Sequence, residues 1–142
     1  MFHATRFLGV FGACALMALS ACAATPSRAS LADAADALVN YADNLARDAT
    51  DEAASNQYEV RWGGDAHQLA AAAQQFRSAV AAPDARRADI DAAFTRLSQA
   101  YDATREAVSQ SVLLQPRRDL QHVTAAYEDV ERQLGRAAHT PA

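Results

Sequence analysis

The chain has few of the residues on which redox and cofactor chemistry depend. Its 142 residues include two cysteines and two methionines, all of them within the first 22 positions. From residue 23 onwards there is no thiol, which excludes disulfides, thiol redox chemistry and cysteine metal sites from that part of the chain. The absence of methionine there also excludes a haem held by histidine and methionine.

Positive charge is sparse as well. The basic residues are all arginines, without a lysine, and they are scattered among a larger number of acidic residues, for a formal net charge of −4. Nucleic-acid-binding domains instead carry a basic patch or stripe. We therefore expect no nucleic-acid partner.

The first residues have the parts of a secretory signal peptide. Residues 1–6 carry the α-amino group and Arg6 without an acidic residue, and Phe7 to Leu19 is a run of apolar and small residues. A charged start, a short apolar region and small residues at its end direct export. The run is shorter than the about 20 apolar residues that a transmembrane helix needs.

The end of this run, Leu19-Ser20-Ala21-Cys22, resembles the lipobox of bacterial lipoproteins: an aliphatic residue, two small residues and a cysteine. The resemblance covers only the N-terminal segment. It implies cleavage before Cys22 and acylation of that cysteine with fatty acids such as palmitate. Because position 23 is Ala and not Asp, it also implies sorting to the outer membrane, facing the periplasm. An alternative stays open: Ala21-Cys22-Ala23 fits an ordinary cleavage site, which would release a soluble periplasmic protein.

The predicted signal peptide covers residues 1–21. Beyond it, we expect a tether over 22–29, one helical domain over 30–136 and a disordered tail over 137–142. Helical periodicity covers Leu31–Ala49, Ala66–Ala81 and Arg87–Leu114, followed by a fourth helix after Pro116. Ser30 is expected to cap the first helix, and Gly135 to end the fourth as a C′ glycine.

Whether the second helix runs through Gly63-Gly64 or begins there stays open, because each glycine costs about 1 kcal/mol in a helix interior. Four amphipathic helices with short connections predict an all-α fold, an up-down antiparallel four-helix bundle. The predicted core consists of the large residues of the four apolar stripes: Leu31, Leu38, Leu45, Leu69, Phe76, Val80, Ile90, Phe94, Leu97, Tyr101, Val108, Leu120, Val123, Tyr127, Val130 and Leu134.

The predicted bundle has no residue to which we assign catalysis, metal binding or cofactor binding. Its two histidines, His67 and His122, lie roughly 145° and 120° from the centres of their apolar stripes at about 100° per residue, so both should face solvent. The Glu-x-x-His pairs of di-metal bundles and the Gly-x-Ser-x-Gly nucleophile motif are absent from the sequence. We expect a protein that is not an enzyme.

Four residues are candidates for contact with a partner. Tyr58 and Trp62 would present aromatic surface, which is enriched at interface hot spots; alternatively, Trp62 continues the core register and closes one end of the bundle. Arg117 and Arg118 begin the fourth helix, where positive charge opposes the macrodipole. An anionic partner would relieve that misfit; alternatively, the pair is simply an exposed turn.

These features predict a lipid-anchored periplasmic module that binds an envelope protein partner in cell-envelope assembly or maintenance. The alternative is a periplasmic helical bundle that binds a small ligand or cofactor. Small helical lipoproteins of the pilotin kind are an analogy at the level of fold only.

Overall fold

A computed structural model describes residues 28–55 and 61–138 of the chain. This part forms four helices: α1 Arg28–Ser55, α2 Gly63–Ala81, α3 Arg87–Ser109 and α4 Leu114–Ala138. The described residues contain no strand, so the predicted all-α four-helix fold is confirmed. The predicted signal peptide, the predicted lipobox with Cys22, Tyr58 and residues 139–142 lie outside the described residues.

Neighbouring helices run in opposite directions, because contacts late in one helix fall early in the next. α1 packs against α2 and α4, α2 against α3, and α3 against α4, in agreement with the predicted up-down topology. The contacts that fix these directions are Asp36–Arg77 and Thr50–His67 for α1–α2, Phe76–Phe94 and Asp65–Thr104 for α2–α3, Phe94–Tyr127 and Tyr101–Thr124 for α3–α4, and Tyr41–His122 and Asp48–Asp119 for α1–α4.

The core between α1 and α2 is built largely from alanine. Side chains this small let two helices approach closely, since interaxial distance depends on the residues at the contact. The large predicted core residues are buried too, except Ile90, Phe94 and Leu120, which are partly buried against the core. The buried alanines, which the list of large apolar residues omitted, are Ala34, Ala35, Ala42, Ala46, Ala49, Ala66, Ala70, Ala72, Ala73, Ala93 and Ala126.

Aromatic rings fill the seam between α3 and α4. Tyr101 and Tyr127 stack with ring centroids 4.2 Å apart, and Phe94 stacks on Tyr127 at 5.7 Å. The Tyr127 hydroxyl lies 2.7 Å from the Ser98 hydroxyl, and the Tyr101 hydroxyl 2.9 Å from that of Thr124. Each of the two buried tyrosines therefore has a hydrogen-bonded hydroxyl group. Burial raises the pKa of the Tyr127 phenol.

The helix ends differ from the prediction. α1 begins at Arg28 and ends at Ser55, so the prediction of Ser30 as N-cap is wrong and the helix extends past Ala49. α4 continues to Ala138, so Gly135 lies inside a helix and does not end it. Apolar periodicity detects only the turns that contact the core. The exposed turns beyond them are held by helix propensity, and one internal glycine costs only about 1 kcal/mol.

The second helix begins at Gly63, after a turn at residues 61–62. The two glycines therefore occupy the first turn of α2, and Asp65 in the same turn complements the positive end of the macrodipole. Pro116 lies in the first turn of α4, as predicted, where its missing N–H removes no helical hydrogen bond.

The start of α1 and the α3–α4 turn lie at opposite ends of the bundle. α1 has 28 residues, and at 1.5 Å per residue it spans about 42 Å. The α3–α4 turn lies at the end where α1 finishes and α2 begins. None of the described helices combines the length and hydropathy that a membrane span requires.

Candidate functional site

The four predicted contact residues have different environments. Tyr58 lies outside the described residues. Trp62 is only 4% exposed and belongs to the core, and its carbonyl accepts a hydrogen bond from the Ala66 N–H at 3.0 Å. Its burial corresponds to the alternative in which Trp62 closes one end of the bundle. Trp62 is therefore not part of an exposed contact surface.

Arg117 has an intramolecular role. Its guanidinium donates to the carbonyl oxygens of Ser109 and Ser111 at 3.1 and 2.7 Å, at the end of α3. A cation near a helix C-terminus interacts favourably with the macrodipole and with the last carbonyl groups. The Arg117 guanidinium, which opposes the dipole of α4, therefore lies where it stabilises the end of α3. This contact does not require an external anion.

Arg86 and Arg87, at the start of α3, pair with acidic residues of the same helix. Both nitrogens Nε and Nη2 of Arg86 donate to the Asp89 carboxylate at 2.8 and 3.0 Å, which lowers the pKa of Asp89. Arg87 pairs with Asp91 one turn later at 2.8 Å. Both pairs are exposed, so solvent screens them and they stabilise the helix only weakly.

Arg118 lies on an exposed face that also carries two stacked rings. Tyr41 of α1 and His122 of α4 stack with centroids 5.4 Å apart and an interplanar angle of 17°. His122 is exposed, as predicted, and Tyr41 is 40% exposed. Arg118 precedes His122 by four residues and is also exposed, so the two side chains are neighbours on α4. We call Tyr41, Arg118 and His122 the aromatic patch.

The α3–α4 turn carries a second exposed surface. α3 ends at Ser109 and not at the predicted Leu114, so Val112 does not continue the apolar stripe of that helix. Val112 is 91% exposed, Leu114 67% and Leu113 38%. We call Val112, Leu113 and Leu114 the aliphatic tip.

Two carboxyl groups meet between α1 and α4, near the aromatic patch. Burial, and then a hydrogen bond and charge repulsion from the Asp119 carboxyl, raise the pKa of Asp48. Asp51 raises the pKa of Asp48 further, and Arg47 opposes the effect. The Gln115 amide donates to both Asp119 oxygens, at 3.2 and 3.1 Å.

A surface cleft of about 340 Å³ lies between α1 and α2. Its polar side chains already contact one another or nearby residues: the Gln74 amide donates to Asp43 at 3.1 Å, the Arg47 guanidinium donates to Asn44 at 2.7 Å, and His67 Nε2 lies 3.2 Å from the Thr50 hydroxyl. Among the described residues, no group of three or more His, Cys, Asp or Glu side chains is arranged to hold a metal ion. The cleft therefore offers few convergent polar groups to a ligand.

Comparisons of the chain with models of protein families, with curated proteins and with solved structures find no match.

Proposed function

We propose that this protein is a lipid-anchored periplasmic module that acts by binding an envelope protein in cell-envelope assembly or maintenance, and not by catalysis. The anchor is Cys22, acylated after removal of residues 1–21, and the membrane is the outer membrane. A single acyl chain binds a bilayer only reversibly, whereas two or three chains on one cysteine anchor a protein stably. Cleavage after Ala23 into a soluble periplasmic protein is the alternative.

The observation that carries the binding role is the aromatic patch. Tyrosine and arginine are over-represented among residues that dominate interface energetics, and a ring that is already stacked loses little side-chain entropy when a partner binds. Tyr41 and His122 come from different helices, so the bundle fixes their relative position. Arg118 adds a planar cation with five donors, suited to a carboxylate on the partner.

The surrounding structure supports contact at the surface more than binding in the interior. Among the described residues, no buried side-chain nitrogen or oxygen lacks a hydrogen-bond partner, and the largest fully buried side chains, apart from Thr104, are apolar. Thr104, the one buried polar residue of the described core, donates to the Ala100 carbonyl at 2.8 Å. The interior is therefore satisfied by its own contacts.

Site-specific photocross-linking tests the proposal. A photoreactive phenylalanine analogue at Tyr41, in the native envelope, is expected to form a covalent adduct with one specific envelope protein. The matched control is the same analogue at Gln99, an exposed residue of α3, the helix diagonal to α1. Arg118→Ala should reduce the Tyr41 adduct. Adducts that are equal at both positions, or that contain only abundant bystander proteins, would contradict a partner at the aromatic patch.

The alternative of a small ligand or cofactor has a separate test. A ligand-carrying bundle purified from the envelope would retain an absorbing group, a metal or an extractable small molecule. An absorbance spectrum and metal analysis of the purified protein measure the first two directly. A coloured or metal-containing sample would favour the alternative over the contact role.

A further inference from the structure

The aliphatic tip exposes three consecutive apolar side chains to solvent. Among the described residues, the exposed large hydrophobic side chains are these three and Tyr41. Isolated exposed apolar residues are normal, but a run of three at the surface is unfavourable unless it contacts something. The tip is therefore a contact surface distinct from the aromatic patch.

The stretch of chain that contains the tip is positively charged in a protein that is acidic overall. From Ala107 to Arg118 the chain has no acidic residue and two arginines, against a net charge of −4 for the whole chain. Hydrogen bonds to the Ser109 and Ser111 carbonyls hold the Arg117 guanidinium beside Val112. The carboxylates that flank this stretch along the chain, Glu106 and Asp119, each accept a hydrogen bond from a glutamine.

The composition of the tip favours a lipid surface over a protein. Leucine and valine are under-represented among protein hot spots, and the tip has no aromatic residue. Insertion into a bilayer interface instead depends on apolar area, and nearby arginines are attracted to anionic headgroups. We propose that the aliphatic tip inserts into the interface of an anionic lipid bilayer, with the Arg117 guanidinium at headgroup level.

This contact is independent of the proposed acyl anchor. The tip lies at the opposite end of the bundle from Arg28, where the chain continues towards Cys22, about 42 Å along α1. A bundle that touches its anchoring bilayer with the tip must therefore lie along that bilayer, whereas an upright bundle presents the tip away from it.

A fluorescent probe at the tip tests the proposal. Val112→Cys in the full chain is labelled with an environment-sensitive nitrobenzoxadiazole group, and the protein is mixed with or reconstituted into vesicles carrying a nitroxide quencher on their acyl chains. Wild-type protein labelled in parallel corrects for any reaction at Cys14 or Cys22. Asp84→Cys, in the exposed α2–α3 turn at the other end of the bundle, is the matched control position.

We expect blue-shifted and quenched emission from the residue 112 probe in vesicles of phosphatidylcholine with phosphatidylglycerol, and much less in phosphatidylcholine alone. With protein added to the vesicles from solution, the residue 84 probe should report water in both. Adding Leu114→Asp to Val112→Cys should lower the ratio of inserted to free tips by about tenfold or more, from the apolar burial lost. The exposed substitution Ala88→Asp, at the other end of the bundle, should leave the ratio unchanged.

Emission from residue 112 that is the same with anionic vesicles, with neutral vesicles and without vesicles would overturn the proposal. A blue shift of this probe's emission with envelope proteins but not with lipid would also overturn it, because the tip would then be a protein-binding site. The probe reports insertion whether the protein is acylated or soluble. Failure of acylation at Cys22 is therefore distinguishable from failure of the tip to insert.

Discussion

Replacing Asp48 by Asn should stabilise the protein at neutral pH and leave it nearly unchanged in acid. Asp48 is half-buried on α1, and its carboxyl meets that of Asp119 on α4. Its pKa is raised from the ordinary value of 3.8, so the folded state binds this proton more tightly than the unfolded state. The contribution of Asp48 to the free energy of unfolding is therefore greatest in acid and declines as the pH rises above 3.8.

The size of the effect is modest because solvent screens the pair. Like charges at a partly exposed helix contact cost about 0.5 kcal/mol, which for a domain of this size shifts Tm by roughly 2 °C. Urea unfolding followed by circular dichroism at pH 4 and pH 7 measures the difference. Asp33→Asn, an exposed carboxylate of α1, is the control. A variant no more stable than wild type at pH 7, or equally stabilised at both pH values, would refute the reasoning.

Four further substitutions test three separate parts of the structure. Trp62→Ala should lower the free energy of unfolding by about 3–5 kcal/mol because it empties a buried position. Thermal unfolding followed by circular dichroism would show this as a large fall in Tm. A loss of stability below about 1 kcal/mol would mean that Trp62 is exposed in solution. Tyr127→Phe should lower the free energy of unfolding by about 1 kcal/mol because it removes the hydrogen bond to Ser98. The rings should stay stacked, so the near-ultraviolet circular dichroism spectrum should be retained. Loss of that spectrum would contradict ring packing as the contact that holds α3 against α4. Arg117→Ala should lower the free energy of unfolding measured in urea by about 1 kcal/mol. Arg118→Ala should stay within about 0.5 kcal/mol of wild type. Equal effects of the two substitutions would contradict a stabilising role that belongs to Arg117 alone.

Apolar periodicity in the sequence predicts the helices and most of the large core residues because it reports which side of a helix is buried. Leu38, Leu97 and Val130 are fully buried as predicted, and His67 and His122 are exposed as predicted. The same signal does not mark where an exposed helix stops.

The candidate surfaces depend on contacts between residues distant in sequence, which periodicity does not contain. Tyr41 and His122 stack across two helices, and no spacing rule connects positions so far apart. The sequence marks Arg117 as a misfit for the start of its own helix, but the helix whose end it stabilises is the preceding one. The aliphatic tip could not be predicted because an extended α3 would have buried Val112, and only the observed end of α3 at Ser109 exposes it.

Intact mass spectrometry of the protein extracted from membranes tests whether Cys22 is the acylated N-terminus. We expect a polypeptide that begins at Cys22 and carries the mass of two or three fatty acyl groups on that residue. An unmodified chain beginning at Ala24 in the soluble periplasmic fraction, or one that retains residues 1–21, would contradict it.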